Sequence, residues 1–219
     1  MASLDSKKTL LKHRELIRKK PILNHIYREW YGIIKKKIPK KGTVVELGSG
    51  AGFIKEFIPR TITTDVIKGP NIDRVINAER LPFRNDTISA FVMVNTFHHI
   101  KNPLKALLEM QRCLQKGGRI IMIEPWNTIW SRFIYKNFHH EMFDEKAGWM
   151  VRGKNRLSDA NGALPWIIFE RDRTLFKKKF CMLSIESIQK HTPFRYLASG
   201  GLSSSQFLPS SSFKALTKI

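Results

Sequence analysis

The sequence has little cysteine and no long apolar run, and no secretory leader is expected. Cys113 and Cys181 are the two cysteines, too few for a disulfide framework, so a reducing cytoplasm is expected. No apolar run approaches the roughly 18 residues that span a bilayer, and charged residues occur too early for a secretory signal. We therefore expect a soluble cytoplasmic protein, and its charge leaves peripheral contact with the inner membrane face open.

Acidic residues are also scarce. Lys and Arg number 39 against 18 Asp and Glu, which gives a net charge of +21. Residues 1–41 carry 13 of the basic residues and only 3 of the acids. Such a surplus favours an anionic partner, which could be a nucleic acid, an acidic membrane surface or a phosphorylated substrate. A solvated, lysine-rich surface would explain the same surplus, so the partner stays open.

The most informative motif is E-L-G-S-G-A-G at residues 46–52. It follows a β-branched run typical of a buried strand, and its glycines permit a sharp turn close to a ligand. The dinucleotide fingerprint needs a glycine where Phe53 stands, and the phosphate-binding loop needs a following Gly-Lys pair. The carboxylate of Glu46 would repel a pyrophosphate but suits a ligand that carries positive charge. A structural turn or a nucleotide-binding variant remains an alternative.

Strand and helix patterns alternate along the chain, which predicts an α/β fold: a Rossmann-like, doubly wound, mostly parallel sheet. Strands are predicted at 43–47, 61–66, 74–76, 88–94, 119–124 and 183–190. Helices are predicted at 3–20, 22–34, 53–58, 103–116, 127–143 and 169–180, with a loop over 144–164. The apolar stripe of 22–34 covers its own sheet or, less favoured, lies on a membrane surface.

The predicted organisation has three parts. Residues 1–41 form a basic N-terminal helical segment, residues 42–200 form the ligand-binding domain, and residues 201–219 form a serine-rich, flexible tail. No convincing strand follows residue 203, so a strand at the C-terminal end of the sheet is expected to be missing.

Four segments within residues 43–124 resemble class I S-adenosylmethionine (SAM) methyltransferases. They are the glycine motif, N-A-E-R-L-P-F at 77–83, the strand that ends in His-His-Ile at 100, and L-Q-K-G-G at 114–118. The spacing is similar to the methyltransferase type 11 group near the ubiquinone/menaquinone-biosynthesis type. Residues 125–219 also resemble bacterial methyltransferases of unassigned substrate. The resemblance implies a SAM-dependent methyltransferase (EC 2.1.1.-).

The resemblance also implies a cofactor site. Glu46 would face the ammonium of SAM, Asp65 would accept hydrogen bonds from the ribose hydroxyls, and Asn77 would stand where the family has an Asp at the adenine amine. The remaining expected contacts are Gly48, Ser49, Gly50, Gly52, Ala78, Glu79 and Asn95. Ordinary loop polarity is the alternative explanation for Asn77 and Glu79.

Histidines supply the candidate general bases for a hydroxyl acceptor. His98 and His99 end the fourth strand, and His140 lies with His139 and Glu141 in the helix predicted after the fifth strand. Packing or solvation explains such residues equally well. His140 and Asp144 lie one helical turn apart, but a pair without further ligands argues against a metal, so no metal is expected.

Two motifs that are absent from the sequence narrow the class of methyl acceptor. The motif Asn/Asp-Pro-Pro-Tyr/Phe of enzymes that methylate base amines does not follow the fourth strand, where residues 95–98 read N-T-F-H. Neither cysteine follows a proline, which argues against cytosine C5 chemistry. We favour O- or C-methylation of a small-molecule, lipid or saccharide intermediate, with an anionic or lipid-linked substrate. An RNA methyltransferase and a non-catalytic membrane-surface or partner-binding protein are the alternatives; the oligomeric state is open.

Overall fold

A five-stranded parallel sheet forms the centre of the computed structural model, which describes residues 7–139, 141–153, 159–191, 196, 199, 201 and 202. Its strands are β1 Thr43–Leu47, β2 Thr61–Asp65, β3 Arg74–Val75, β4 Ile88–Val94 and β5 Leu114–Ile123. They lie in the order β3-β2-β1-β4-β5, and every pair is parallel. Because the chain reverses direction across the sheet at β1 and β4, the predicted Rossmann-like, doubly wound fold is confirmed.

The helices lie before, between and after these strands. They are α1 Lys7–Lys19, α2 Pro21–Lys37, α3 Pro103–Cys113, α4 Ile129–Phe138, α5 Leu164–Trp166 and α6 Arg173–Lys179. Two 3₁₀ turns, Ile54–Glu56 and Phe97–His99, follow β1 and β4, and one π-helical turn spans Ile167–Arg171. No helix in the described ranges is long and apolar enough to cross a bilayer.

Helix α2 covers one face of the sheet. Its predicted apolar stripe is buried, and it packs in one cluster with Val44, Ala90 and Val92 of the central strands. The buried helix residues are Ile22, Leu23, Ile26, Tyr27, Trp30, Tyr31 and Ile34. Since the apolar face of α2 packs against the sheet, the structure favours a helix that covers its own sheet over a helix on a membrane surface.

The second face of the sheet is covered by α3 and by the chain around α5 and α6. Phe91 and Met93 of β4 pack there with Leu107 and Met110 of α3. Helix α3 begins as predicted, because the side chain of Asn102 accepts a hydrogen bond from the Lys105 amide at 3.0 Å and proline follows it.

Two predicted helix boundaries differ from the structure. Only a 3₁₀ turn forms where a helix was predicted over 53–58, because Pro59 cannot extend a helix and restricts the residue before it. Helix α3 ends at Cys113 instead of at the glycine pair 117–118. Those glycines lie within β5, where the pairing with β4 shifts register between Ile88 and Ala90.

The structure of the C-terminal third differs more from the elements predicted from the sequence. The strand predicted at 183–190 joins no ladder among the described residues; instead Leu183 and Ile185 pack on the core. The helix predicted over 127–143 ends at Phe138, and the helix predicted over 169–180 is divided between a π-helical turn and α6. In the described part of the chain β5 is therefore the edge of the sheet. Residues 203–219 of the predicted tail lie outside that part.

Candidate functional site

The glycine turn lies at the carboxyl ends of β1 and β2, and its three glycines are needed for different reasons. A Cβ on Gly48 would lie 2.3 Å from Thr96 Cγ2, and one on Gly52 would lie 2.3 Å from the Tyr31 hydroxyl. A Cβ on Gly50 meets no protein atom closer than 3.8 Å, although the residue has φ +48°. Hence Gly48 and Gly52 make room for neighbouring side chains. A Cβ on Gly50 would make only ordinary contacts with the described residues, which is compatible with the close approach of a ligand.

Asp65, the last residue of β2, holds this turn in place. Its Oδ2 accepts a hydrogen bond from the Gly50 amide at 2.9 Å, and its Oδ1 accepts one from the Ile67 amide at 3.1 Å. Burial raises the pKa of the Asp65 carboxyl, and these amides partly oppose that effect. Each carboxylate oxygen has capacity for a further donor, so Asp65 can bind ligand hydroxyls while it supports the turn.

Glu46, in β1, is the most unusual polar group of the site. The residue is only 1% exposed, and its Oε2 has no hydrogen-bond partner among the described residues. Burial raises the pKa of its carboxyl to about 8, against the opposing influence of Ser49 and Tyr31. A buried acid with a free oxygen is costly for a fold on its own, and it is suited to a cationic ligand group. The carboxylate acceptor of Glu46 therefore fits the ammonium expected from the resemblance.

The other expected cofactor contacts have partners within the protein. The Ser49 hydroxyl accepts a hydrogen bond from the Thr64 amide at 3.1 Å, and Glu79 Oε1 accepts one from the Asn102 amide at 3.0 Å. Asn77 is exposed, with its Oδ1 bound to the Glu79 amide at 2.9 Å, and it lies next to the half-buried Ala78. All of them remain candidate contacts, with Ser49 and Glu79 also serving the fold.

Asn95, immediately after β4, adopts a backbone conformation rare for a residue with a side chain. Its φ is +49°, and its amide donates to the Ile123 carbonyl at 2.8 Å. Its side chain hydrogen-bonds the Tyr27 hydroxyl of α2. The left-handed conformation of Asn95 thus joins the end of β4 to the helix that covers the sheet, on the same side as the glycine turn.

A second polar group lies at the end of β4, around His98. This buried side chain bonds through Nδ1 to Glu124 Oε2 at 2.6 Å, and its Nε2 lies 3.5 Å from Glu141 Oε2. Burial disfavours the charged imidazole, but the two carboxylates outweigh that effect and raise the pKa of His98 to about 9. Glu124 was not foreseen, although an acid directly after a strand at the carboxyl edge was an available signal.

Glu141 brings the neighbouring histidine into the same group. Its Oε1 lies 3.6 Å from His99 Nε2, and the His98 and His99 ring centroids are 4.2 Å apart. Burial and the charge of His98 lower the pKa of His99 to about 4. Burial would raise the pKa of Glu141, but the neighbouring histidines lower it to about 2. Glu141 follows α4 instead of lying in it, and His140 lies outside the described residues.

Residues 45–122 match the family model of a methyltransferase domain. The match supports the predicted SAM-dependent methyltransferase activity and SAM as the cofactor. It does not single out the ubiquinone/menaquinone-biosynthesis subgroup.

Similar proteins cover only part of the chain. An uncharacterized protein of Methanocaldococcus jannaschii is 32% identical over 105 residues, which are 44% of this chain and 51% of the relative. This chain thus spans about half the length of that curated relative. The YcgJ structure from Bacillus subtilis has a TM-score of 0.38 and 22% identity over 43% of this chain and 50% of that one. A SAM-dependent methyltransferase structure from Thermotoga maritima has a TM-score of 0.47 and 21% identity over 70% of each chain.

Proposed function

We propose that the protein is a SAM-dependent methyltransferase that holds its cofactor against the glycine turn at the ends of β1 and β2. The observation that carries this proposal is the buried carboxyl of Glu46, one oxygen of which has no hydrogen-bond partner in the described part of the chain. It lies beside a turn in which a Cβ on Gly50 would meet no atom closer than 3.8 Å. SAM supplies an activated methyl group when bound. The work of the protein is then to fix the ligand, orient the acceptor and exclude water.

The cofactor contacts follow from the charges of the site. Glu46 faces the ammonium of the ligand, because a cation offsets the desolvation of a buried carboxylate. Asp65, at the end of the neighbouring strand, accepts the ribose hydroxyls through the free capacity of its two oxygens. Asn77 and Ala78, after β3, lie next along the same edge and contact the adenine, with Asn77 accepting the adenine amine.

The acceptor is an anionic small molecule, or a lipid-linked one, that is methylated on oxygen or carbon. The polar group of His98, His99 and Glu141 supports this, because His98 is two residues after Thr96, whose hydroxyl donates to the Gly48 carbonyl at 3.2 Å. The net charge of +21 favours an anionic acceptor. The sequence after β4 lacks the motif of enzymes that methylate base amines, which disfavours nucleobases.

Cofactor binding is tested with S-adenosylhomocysteine, the demethylated product form of SAM. Asp65→Ala should weaken its binding by roughly 1.5–3 kcal/mol, the usual effect of a lost charge-assisted hydrogen bond, which is about 10- to 150-fold in affinity. Asp73→Ala is the matched control, since Asp73 is also a carboxylate that accepts a backbone amide, that of Thr63, at 2.9 Å. Equal affinities for both variants and the wild type, measured by calorimetry, would remove Asp65 from the site.

The acceptor class is tested with SAM labelled on its methyl carbon. Incubation of the protein with fractionated extract should move label into the small-molecule or lipid fraction, and the label should resist ribonuclease. Label that appears in RNA, and that a ribonuclease releases as nucleotides, would refute the proposed acceptor class in favour of an RNA methyltransferase.

A further inference from the structure

His98, His99 and Glu141 have the geometry of a metal site. One ring nitrogen from each histidine and one carboxylate oxygen of Glu141 all lie within 4.8 Å of one another. The two nitrogen–oxygen separations of 3.5 and 3.6 Å are longer than a charge-assisted hydrogen bond of about 2.7–2.9 Å. They are close to the roughly 3.4 Å that separates two ligands on a tetrahedral zinc with bonds of about 2.0–2.1 Å.

The tautomer of His98 leaves its Nε2 as a ligand atom. Glu124 Oε1 accepts hydrogen bonds from the amides of Thr96 and Phe97 at 2.8 and 2.7 Å, and its Oε2 meets His98 Nδ1 at 2.6 Å. Because a carboxylate with these donors acts as an acceptor, Nδ1 carries the proton of the neutral ring. In this neutral ring Nε2 presents its lone pair towards Glu141, so a cation can take the place of the proton that Nε2 carries when the imidazole is charged.

The hydrogen-bond partner of His98 Nδ1 also supports a metal-binding role for His98. Histidines that bind metals usually donate their other ring nitrogen to a carboxylate, which fixes the ring and raises its basicity. Glu124 does this for His98, and the two backbone amides fix Glu124 in turn. The imidazole is therefore held in one orientation before any ligand arrives.

The loop that carries Glu141 is fastened to the turn that carries the histidines. Asn161, which is buried, donates from its amide to the His98 carbonyl at 3.0 Å. Its side-chain oxygen accepts from the Asp144 amide at 3.0 Å, and its side-chain nitrogen donates to the Asp144 carbonyl at 2.9 Å. Asn161 thus ties together two segments far apart in sequence, through its backbone amide and its side chain, and these segments carry the three candidate ligands.

We infer that His98, His99 and Glu141 bind one divalent zinc-type cation, with Glu124 and Asn161 as positioning residues. Two imidazoles and one carboxylate are a ligand set that zinc accepts in catalytic sites, where a fourth position stays open. On the proposed function, that position would take an oxygen of the methyl acceptor and make it a better nucleophile by lowering its pKa. The earlier expectation of no metal considered only His140 with Asp144, and the structure assembles a different set.

The test uses the full chain without a histidine tag, stripped with chelator and then dialysed against buffered Zn²⁺ or Co²⁺. Elemental analysis should find one metal per chain, and Co²⁺ should give the visible absorption of a four-coordinate site. Glu141→Gln and His99→Ala should weaken binding at least about 100-fold, and Glu124→Gln about 10- to 100-fold, as expected for an outer carboxylate. His25→Ala and Glu170→Gln, at exposed positions, should bind as the wild type does, and melting curves check that every variant is folded.

Three outcomes would overturn the inference. They are no uptake by the wild type, uptake unaffected by both ligand substitutions, and uptake that falls equally in the exposed-site controls. The first would mean that the three residues form an ion-pair network only. Since none of these measurements involves the cofactor, failure of the metal site is distinguishable from failure of the proposed methyltransferase function, which would show as absent S-adenosylhomocysteine binding.

Discussion

Binding of the cofactor should release a proton from Glu46. Burial raises the pKa of this carboxyl to about 8, so the ligand-free protein holds it mostly neutral at pH 7. An ammonium placed beside the carboxyl favours its charged form, and the proton must then leave to solvent. Ligand affinity therefore rises with pH below 8, in contrast to a site in which the acid is already ionised.

The number of protons released on binding follows from the pKa of the Glu46 carboxyl. At pH 7 about one-tenth of the free protein has Glu46 ionised, so binding should release about 0.9 proton if the bound carboxyl is fully charged. Between pH 6 and pH 7 the affinity should rise close to tenfold. This range lies below the pKa of a ligand α-amino group, about 7.7–8.0, so the ligand itself stays charged.

Calorimetry of S-adenosylhomocysteine binding in buffers with different ionisation enthalpies measures the released protons directly. Glu46→Gln keeps the shape of the side chain and should abolish both the release and the pH dependence. Glu170→Gln, at an exposed position, is the control and should behave as the wild type. A wild type that binds with the same affinity at pH 6 and pH 7, and with no buffer-dependent heat, would refute the role assigned to Glu46.

The same pKa predicts how the ligand-free protein responds to pH. The ordinary value for a Glu carboxyl is 4.5, and the folded value is about 8. Between them the unfolded chain loses the proton while the folded protein keeps it, so this group lowers stability as pH rises, by up to about 1.4 kcal/mol per pH unit. In denaturant titrations Glu46→Gln should become progressively more stable than the wild type across this window. A constant difference between the two would contradict the burial argument.

Two further predictions concern the turn and the core. Gly50→Val should abolish S-adenosylhomocysteine binding, whereas Gly117→Val, also at positive φ and with open space around it, should be destabilised by the same backbone strain and still bind in calorimetry. Full binding by both variants would contradict a ligand at Gly50. Ile34→Ala should lower the free energy of unfolding by about 2–5 kcal/mol because Ile34 is fully buried between α2 and the sheet, whereas Ile129→Ala, at 82% exposure, should stay within about 0.5 kcal/mol. Similar losses for both in urea denaturation would show that α2 does not pack as described.

Much of the central fold could be predicted because its signals are local. The β-branched run before Glu46 and the apolar run of β4 each define a buried parallel strand by themselves. The Asn102 cap likewise marks the start of α3 within four residues. The length of the segment after Gly52 was harder to predict, since the apolar spacing favoured a helix and Pro59 prevented it.

The second half of the site could not be predicted, because it depends on contacts between distant segments. Glu141 and His98 are 43 positions apart, and no periodicity joins them. Only the fold shows that Asn161 ties their loops together. The helical pattern beyond residue 138 also misplaced Glu141, since tertiary contacts outweigh local preference where a helix has few buried residues.

The contact between Gly52 and the Tyr31 hydroxyl couples two parts of the chain that sequence reasoning had placed in separate units. Position 52 can carry a side chain only if position 31 gives up its hydroxyl, because the two would otherwise occupy the same space. Tyr31 of α2 therefore packs directly against the glycine turn. In chains related to this one, substitutions at positions 31 and 52 should therefore occur together. The glycine at position 52 is explained by the packing of α2 as much as by a cofactor.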